Sequence, residues 1–358
     1  MKPRQRKTQG KSKSRSRRGG SHHHWKFTLQ ISGLLLLAAL AYASVADWFV
    51  HHPREWLDNH RAAGPSFLIE PLYSTGNAVG DLTDALGWTG SDAVYEYDEE
   101  APAGEVLFAG EPLRVAPPAP SDIVTLDRGE FKIGWSPSLH HPVWVAYHVP
   151  QTASFNNLKR PSFTKDHAVP SAPRPADYSH SGFDSGHMAP NYAIVTRFGP
   201  DAQRKTFQMS NIAPQSPTLN RGVWRDLEHR IAQLWTQRYG EIWVIVGAVT
   251  PTTTPRQIIP STSIDIPDLF YQIIIAQEGM DIRALAVLFS QNVPPNTYAA
   301  RCIVTIDELE ELTGLDFFPD LPSFIQTPLE AHRPTRLWPI RFQDVFKLLF
   351  PISTQEEE

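Results

Sequence analysis

One stretch, TLNRGVWRDLEHRIAQLWTQRYG, is periodic in a way that only a helix satisfies, and it constrains everything around it. Trp224, Leu227, Ile231, Leu234 and Trp235 recur at spacings of three and four, so a helix gathers them on one stripe that has to be buried, and Gly240 supplies a stop. On both sides the pattern changes to strand-length runs rich in β-branched and aromatic residues. EVLFAG, DIVTLDRGEFKIGWS and HPVWVAYHVP precede the helix; EIWVIVGAVT, IPDLFYQIIIAQ, IRALAVLFSQ and ARCIVTI follow it, ahead of a short helix around DELEELTG. Strands before and after one central helix define an α+β class with an antiparallel sheet. The single cysteine, Cys302, makes no internal disulfide and reads as a packing residue of a buried strand.

The first 46 residues are a different material. Residues 1–26 hold ten Lys or Arg and no acid, and the run from Phe27 to Ala46 carries no charge. About 20 apolar residues suffice to span a bilayer as a helix. The organisation expected is therefore a basic cytoplasmic tail (1–26), a transmembrane anchor (27–46), a stalk or N-terminal elaboration (47–104), the main domain (105–330) and a C-terminal extension (331–358). With basic charge before the run and acid after it, the main domain is placed outside the cytoplasm, periplasmic or extracellular. Two alternatives stand beside the anchor: a cleaved signal peptide, with small residues at Ala41, Ala43, Ser44 and Ala46, and a mitochondrial presequence.

Charge is unevenly spread. The whole chain is −5; without the ten early cations, 23 Lys and Arg face 38 acids, a net −15. Yet residues 151–240 hold eleven Lys or Arg against six acids, a basic island on an acidic protein. Such an island suits a polyanion.

Inside the island lies YSHSGFDSGHMAP, residues 178–190. Taken alone, His187 is more often a packing residue than a reagent, and Asp184 is as readily a turn residue as a functional carboxylate. What surrounds them decides. DSGHMAP is followed by MSNIAPQ (209–215), LNRGVW (219–224) and DLEHR (226–230), with Asn220 nine residues after Asn211 and Glu228 eight after Asn220. This ordered series resembles the DNA/RNA non-specific endonucleases, the ββα-metal family, whose usual forms are D-R-G-H, S-N-(I/M)-x-P-Q and N-x-G-x-W-x-x-L-E. The resemblance covers about residues 120–322.

It implies a metal-dependent, sequence-non-specific hydrolysis of DNA and RNA that leaves 5′-phosphate ends. The catalytic set it implies is His187, Asp184, Asn211 and Glu228. His187, with an ordinary pKa near ~6.5, suits a general base for water and is expected in an accessible polar loop. Asp184 orients the imidazole or its strand. Asn220 is the direct metal ligand and Glu228 holds the metal's water shell; the metal is usually magnesium, with manganese or another divalent cation as options. Few protein ligands suit magnesium, which sheds water reluctantly. Asn220 reads equally well as an N-cap, and on a continuous helix Glu228 lies about 80° round from it. Asn211 supports the site, or forms an Asx turn before Pro214. Arg160, with Lys159 as its neighbour, and Arg221 are the expected phosphate contacts.

The chain departs from the family pattern twice: Ser185 stands where D-R-G-H has arginine, and Ala232 stands where another arginine is common. Both groups would have met phosphate. The competing readings are therefore a weakened, non-catalytic nucleic-acid-binding relative at the cell envelope, and a phosphodiesterase for another phosphorylated substrate. A homodimer is one option for the assembly.

Overall fold

A computed structural model describes residues 94–96, 106–156, 158–250, 257–279, 281–341 and 344. The tail, the anchor and nearly all of the stalk lie outside the described residues. Among the described residues no helix is long and apolar enough to cross a membrane.

Among the described residues there are twelve strands: β1 (Tyr95–Glu96), β2 (Leu113–Arg114), β3 (Val124–Asp127), β4 (Phe131–Ser136), β5 (His141–Val149), β6 (Asp184–His187), β7 (Ile212–Gln215), β8 (Ile242–Val249), β9 (Leu269–Glu278), β10 (Asp281–Ser290), β11 (Ile303–Val304) and β12 (Leu315–Asp316). The main sheet runs β1-β10-β9-β8-β5-β4-β3, with β11 also on β10, and every pairing in it is antiparallel. An antiparallel sheet with one wet face shows alternating polarity. Here β5 and β8 are buried at every position, so both faces are covered. Val145, Tyr147, Val244, Val246, Phe270 and Ile274 point to one face, and Trp144, Ala146, Trp243, Ile245, Tyr271 and Ile273 to the other.

The helices are α1 (Asn191–Phe198), α2 (Pro200–Thr206), α3 (residues 217–239), α4 (Ile306–Thr313) and α5 (Ser323–Ala331). Trp224, Leu227, Ile231, Leu234 and Trp235 of α3 fill the first face, and α4 and α5 pack on the second. The whole of β6, β7, α1, α2 and α3 is thus an insertion between β5 and β8, which are neighbours in the sheet. The basic island is a single excursion over one sheet face.

Three readings of the sequence are revised. The EVLFAG run yields no named strand; Phe108 and Ala109 are instead core residues of the second face. Cys302 ends a 3₁₀ turn, Ala299–Cys302, and is half-buried ahead of β11. Part of the segment set apart as an extension belongs to the core: Leu337, Trp338 and Ile340 are buried in the first-face cluster. Trp235 Nε1 donates to Trp338 O at 2.9 Å, and Tyr239 Oη donates to Pro339 O at 3.0 Å. Two large aromatic residues of α3 therefore close against a strap about a hundred residues downstream.

Candidate active site

The site is a ββα unit made of β6, β7 and α3. The strands pair antiparallel, Asp184 opposite Gln215 and His187 opposite Ile212, so β6 carries a carboxylate at one end and an imidazole at the other. Gly186 between them has a steric reason: a Cβ there would lie 2.2 Å from Gln215 Oε1, because the Gln215 side chain crosses the strand at that point.

α3 starts differently from the simple helix expected. The N-cap is Ser216, whose side chain accepts from Leu219 N–H, and Pro217 follows at the first helical position. Gln291 fixes this start to the end of β10, its Oε1 accepting from Ser216 N–H at 2.7 Å and its Nε2 donating to Pro214 O at 2.8 Å. Asn220 is therefore not the cap. The backbone then leaves helical values at Gly222 (φ −107°, ψ −121°), inside a wide turn Asn220–Trp224. The 80° relation between Asn220 and Glu228 assumed an unbroken helix and does not apply across this kink.

The kink turns Asn220 and Arg221 toward β6. Arg221 holds Asp184 with two hydrogen bonds, Nε to Oδ2 at 2.9 Å and Nη2 to Oδ1 at 2.8 Å, and Asn220 Nδ2 donates to the same Oδ2 at 2.9 Å. Partial burial pushes the Asp184 carboxyl up, but the bonds from Arg221 and Asn220 and the charge of Arg221 outweigh it, and the net shift is below the ordinary value. With its nitrogen committed to Asp184, the Asn220 amide has its oxygen turned the other way. Arg221 thus reaches the acid that opens the DSGH strand from the helix, one residue away from the position where Ser185 departs from the family pattern.

At the other end of β6, His187 is not in an accessible loop. It is 8% exposed, on the strand, and packs against both Phe163 (centroids 5.2 Å apart) and Phe207 (4.6 Å, edge-on), which also touch each other. Burial disfavours the imidazolium, and the positive charge of Arg160 adds to this, bringing its pKa down to about 3. The ring is neutral at any physiological pH. Arg160 lies over one ring of this cluster, 5.7 Å from the Phe207 centroid, so the residue chosen as phosphate partner does reach the histidine's surroundings.

Asn211 has its side chain fully committed to backbone. Its Oδ1 accepts from Ala189 N–H at 2.9 Å, and its Nδ2 donates to Ala189 O and Thr206 O, both at 3.0 Å. It is wholly buried and ties the chain just beyond His187 to the end of α2, instead of presenting an amide to substrate. Glu228 is half-buried and accepts from Trp224 Nε1 at 2.8 Å; the indole is itself wedged against Phe270 and Phe289. Burial and then the Glu228 charge raise the Tyr147 hydroxyl well above its usual range. Ala232 is core-facing, with its carbonyl accepting from the buried Arg197 Nη2 at 2.5 Å, so its side-chain position belongs to packing.

Sequence reasoning placed Trp224 in the stripe and the motif but missed its bond to Glu228, and it missed Phe163, Phe207 and a buried support, in which Asp166 Oδ2 accepts from Ser210 Oγ at 2.6 Å and from Arg128. The Trp224–Glu228 pair had a signal in its i,i+4 spacing. The aromatic walls had none.

The fold and the site together define a class: an antiparallel sheet bearing a ββα unit with histidine on the first strand and asparagine at the head of the helix. The family model described as DNA/RNA non-specific endonuclease matches residues 110–324, and the chain belongs to that family. Nuclease EXOG, mitochondrial, of Xenopus laevis is 28% identical over 285 residues, covering 71% of this chain and 75% of its own length. The mouse protein of the same name is 30% identical over 197 residues, 50% of this chain and 53% of the mouse chain, so this chain spans about half the length of that relative. Human Endonuclease G, mitochondrial, is 31% identical over 159 residues, 41% and 52% of the respective chains. A crystal structure of an EndoG/EndoGI complex shares the fold at a TM-score of 0.52 and 22% identity, covering 57% of this chain and 89% of that one.

Proposed function

We propose that the protein is a metal-dependent, sequence-non-specific endonuclease that hydrolyses phosphodiester bonds of DNA and RNA. The observation that carries the reading is the division of labour along β6: a dry, neutral imidazole at one end, and at the other a charged carboxylate that orients an asparagine amide. His187 takes the proton from the attacking water, for which the neutral form is required at the outset. The water oxygen bonds to phosphorus as the P–O3′ bond breaks, and the departing 3′ oxygen takes a proton from solvent, leaving a 5′-phosphate and a 3′-hydroxyl. Arg160 and Arg221 pair with phosphate oxygens, which are the same at every base step, so no sequence is read.

The residues present suit a hard divalent cation. Asn220 offers an amide oxygen and Glu228 a carboxylate, an all-oxygen set with few direct ligands that fits magnesium or manganese. Such an ion, when bound, supplies neutralisation of charge developing on the phosphate. Asp184 fixes the Asn220 amide by accepting from its nitrogen, Trp224 fixes Glu228, and Asn211 acts as a positioning residue for the His187 strand.

The relatives named as mitochondrial nucleases support the presequence reading of residues 1–46 over the anchor. Plasmid nicking by the full-length protein with magnesium, against an EDTA control, tests the activity. A folded protein that binds plasmid but never nicks it with magnesium or manganese would sink the enzyme and leave the non-catalytic relative standing.

A further inference from the structure

We propose that the loop leading into the site carries a nucleobase-stacking subsite at Phe155, which selects unpaired strands as substrate; this rests on the nuclease reading and names its preferred substrate class. Phe155 is 45% exposed although it is held firmly. Its backbone N–H donates to Thr196 O at the end of α1 (2.9 Å), and its ring rests on Gly199, where a Cβ would lie 3.0 Å from the ring. Gly199 also has φ +86°, so glycine is required there for two reasons, and the seat it makes leaves the rest of the ring in solvent. A little further on, Leu158 O accepts from the buried Gln203 Nε2 at 3.4 Å, a second tie of the loop to α2.

A single exposed apolar side chain is ordinary on a protein surface. Two further features set this one apart. Residues 150–165 carry Lys159, Arg160 and Lys165 and no carboxylate, so the charges on this stretch of chain are all positive. The stretch ends at the reaction centre: Arg160 covers Phe207, and Phe207 meets His187 edge-on. Five residues separate Phe155 from Arg160, a span of at most about 17 Å. A strand whose phosphate is held by Arg160 can therefore present a base to Phe155 within about five nucleotides at the ~3.4 Å per-strand spacing of duplex DNA, and within fewer on an extended single strand. Aromatic rings beside a cationic track bind single strands by stacking on any base. In a duplex the base faces are already stacked on one another, so only an unpaired or frayed base can use this ring.

The test uses the full chain in EDTA, binding a fluorescein-labelled twelve-residue oligothymidine and, separately, a blunt hairpin duplex. Phe155→Ala is expected to weaken the single strand about tenfold and to leave the duplex nearly unchanged. Phe155→Trp should bind like the parent, and the added indole emission should be quenched by the oligothymidine. Unchanged single-strand affinity in Phe155→Ala, or equal losses on both ligands, overturns the proposal. So does a variant that binds normally but loses self-association in sedimentation, since the ring would then be a protein contact. Cleavage is measured in parallel with magnesium. Phe155-dependent binding without any nicking defeats the enzyme reading and keeps the subsite; normal nicking with a neutral Phe155→Ala does the reverse.

Discussion

The two ends of the four-residue strand β6 treat charge in opposite ways. Around Asp184 the surroundings are polar and half-open, and hydrogen bonds from Arg221 and Asn220 keep a carboxylate charged despite partial burial. Around His187 they are aromatic and closed, and burial keeps an imidazole neutral. One strand can hold a neutral imidazole and a charged carboxylate because desolvation disfavours whichever form is charged, and only one end is given partners that offset it.

The strongest break of this comparison is His187→Ala, which should lower nicking by about 10² to 10⁴ with little loss of fold. The same variant checks the burial argument. In the parent, the unfolded histidine takes up a proton below its ordinary 6.5 whereas the folded one resists until about 3, so stability falls as pH drops through that window. His187→Ala should lose less melting temperature than the parent between those limits; an identical slope would show that the imidazole is not dry.

At the polar end, Asp184→Asn removes the charge that holds Arg221 and orients Asn220. Partners one step behind a metal ligand are typically worth about 10- to 100-fold in metal affinity or activity. The expected result is a magnesium requirement raised by that order; an unchanged magnesium titration would separate Asp184 from the metal. Arg160→Ala and Arg221→Ala should each cost about tenfold, with a shallower dependence on salt. A loss that is the same at low and high salt would point to folding rather than phosphate contact.

Phe163→Ala sharpens the comparison by admitting water to one face of the imidazole. The His187 pKa should climb back toward its ordinary value, so kcat/KM falls several-fold at about pH 5 and stays level at about pH 8. An acid limb that does not move would refute the aromatic wall as its cause. The smallest effect is expected for Ser185→Arg, a change of less than about fivefold, because Arg221 already neutralises Asp184. A large gain would mean that Arg221 is no substitute.

What the sequence made legible was local. The stripe from Trp224 to Trp235, the strand runs of β5, β8, β9 and β10, and the order of the motif residues all depend on neighbours within a turn or a strand. What it hid was set by distant partners. Asp184 and Arg221 are 37 residues apart in sequence and meet only because α3 kinks at Gly222, a backbone choice that the residue permits but does not announce. Phe163 and Phe207 read as ordinary apolar residues until the fold brings both against His187. Asn211 shows the converse: its position in the series was visible, whereas its three backbone bonds, and so its positioning role, were not.

The strap at Leu337–Ile340 has a consequence for how the protein is made. During synthesis the helix bearing Glu228 emerges first, and the carbonyl that receives the Trp235 indole is translated 103 residues later. Until then the nascent chain holds every motif residue in the correct order, but one side of α3 has no cover. Domains generally complete folding as units as they leave the ribosome. Here a wedge of the core is translated about a hundred residues after the helix that it covers. A message interrupted anywhere in that interval yields a chain with an intact motif and an open hydrophobic seam, a substrate for chaperones and proteases rather than a nuclease.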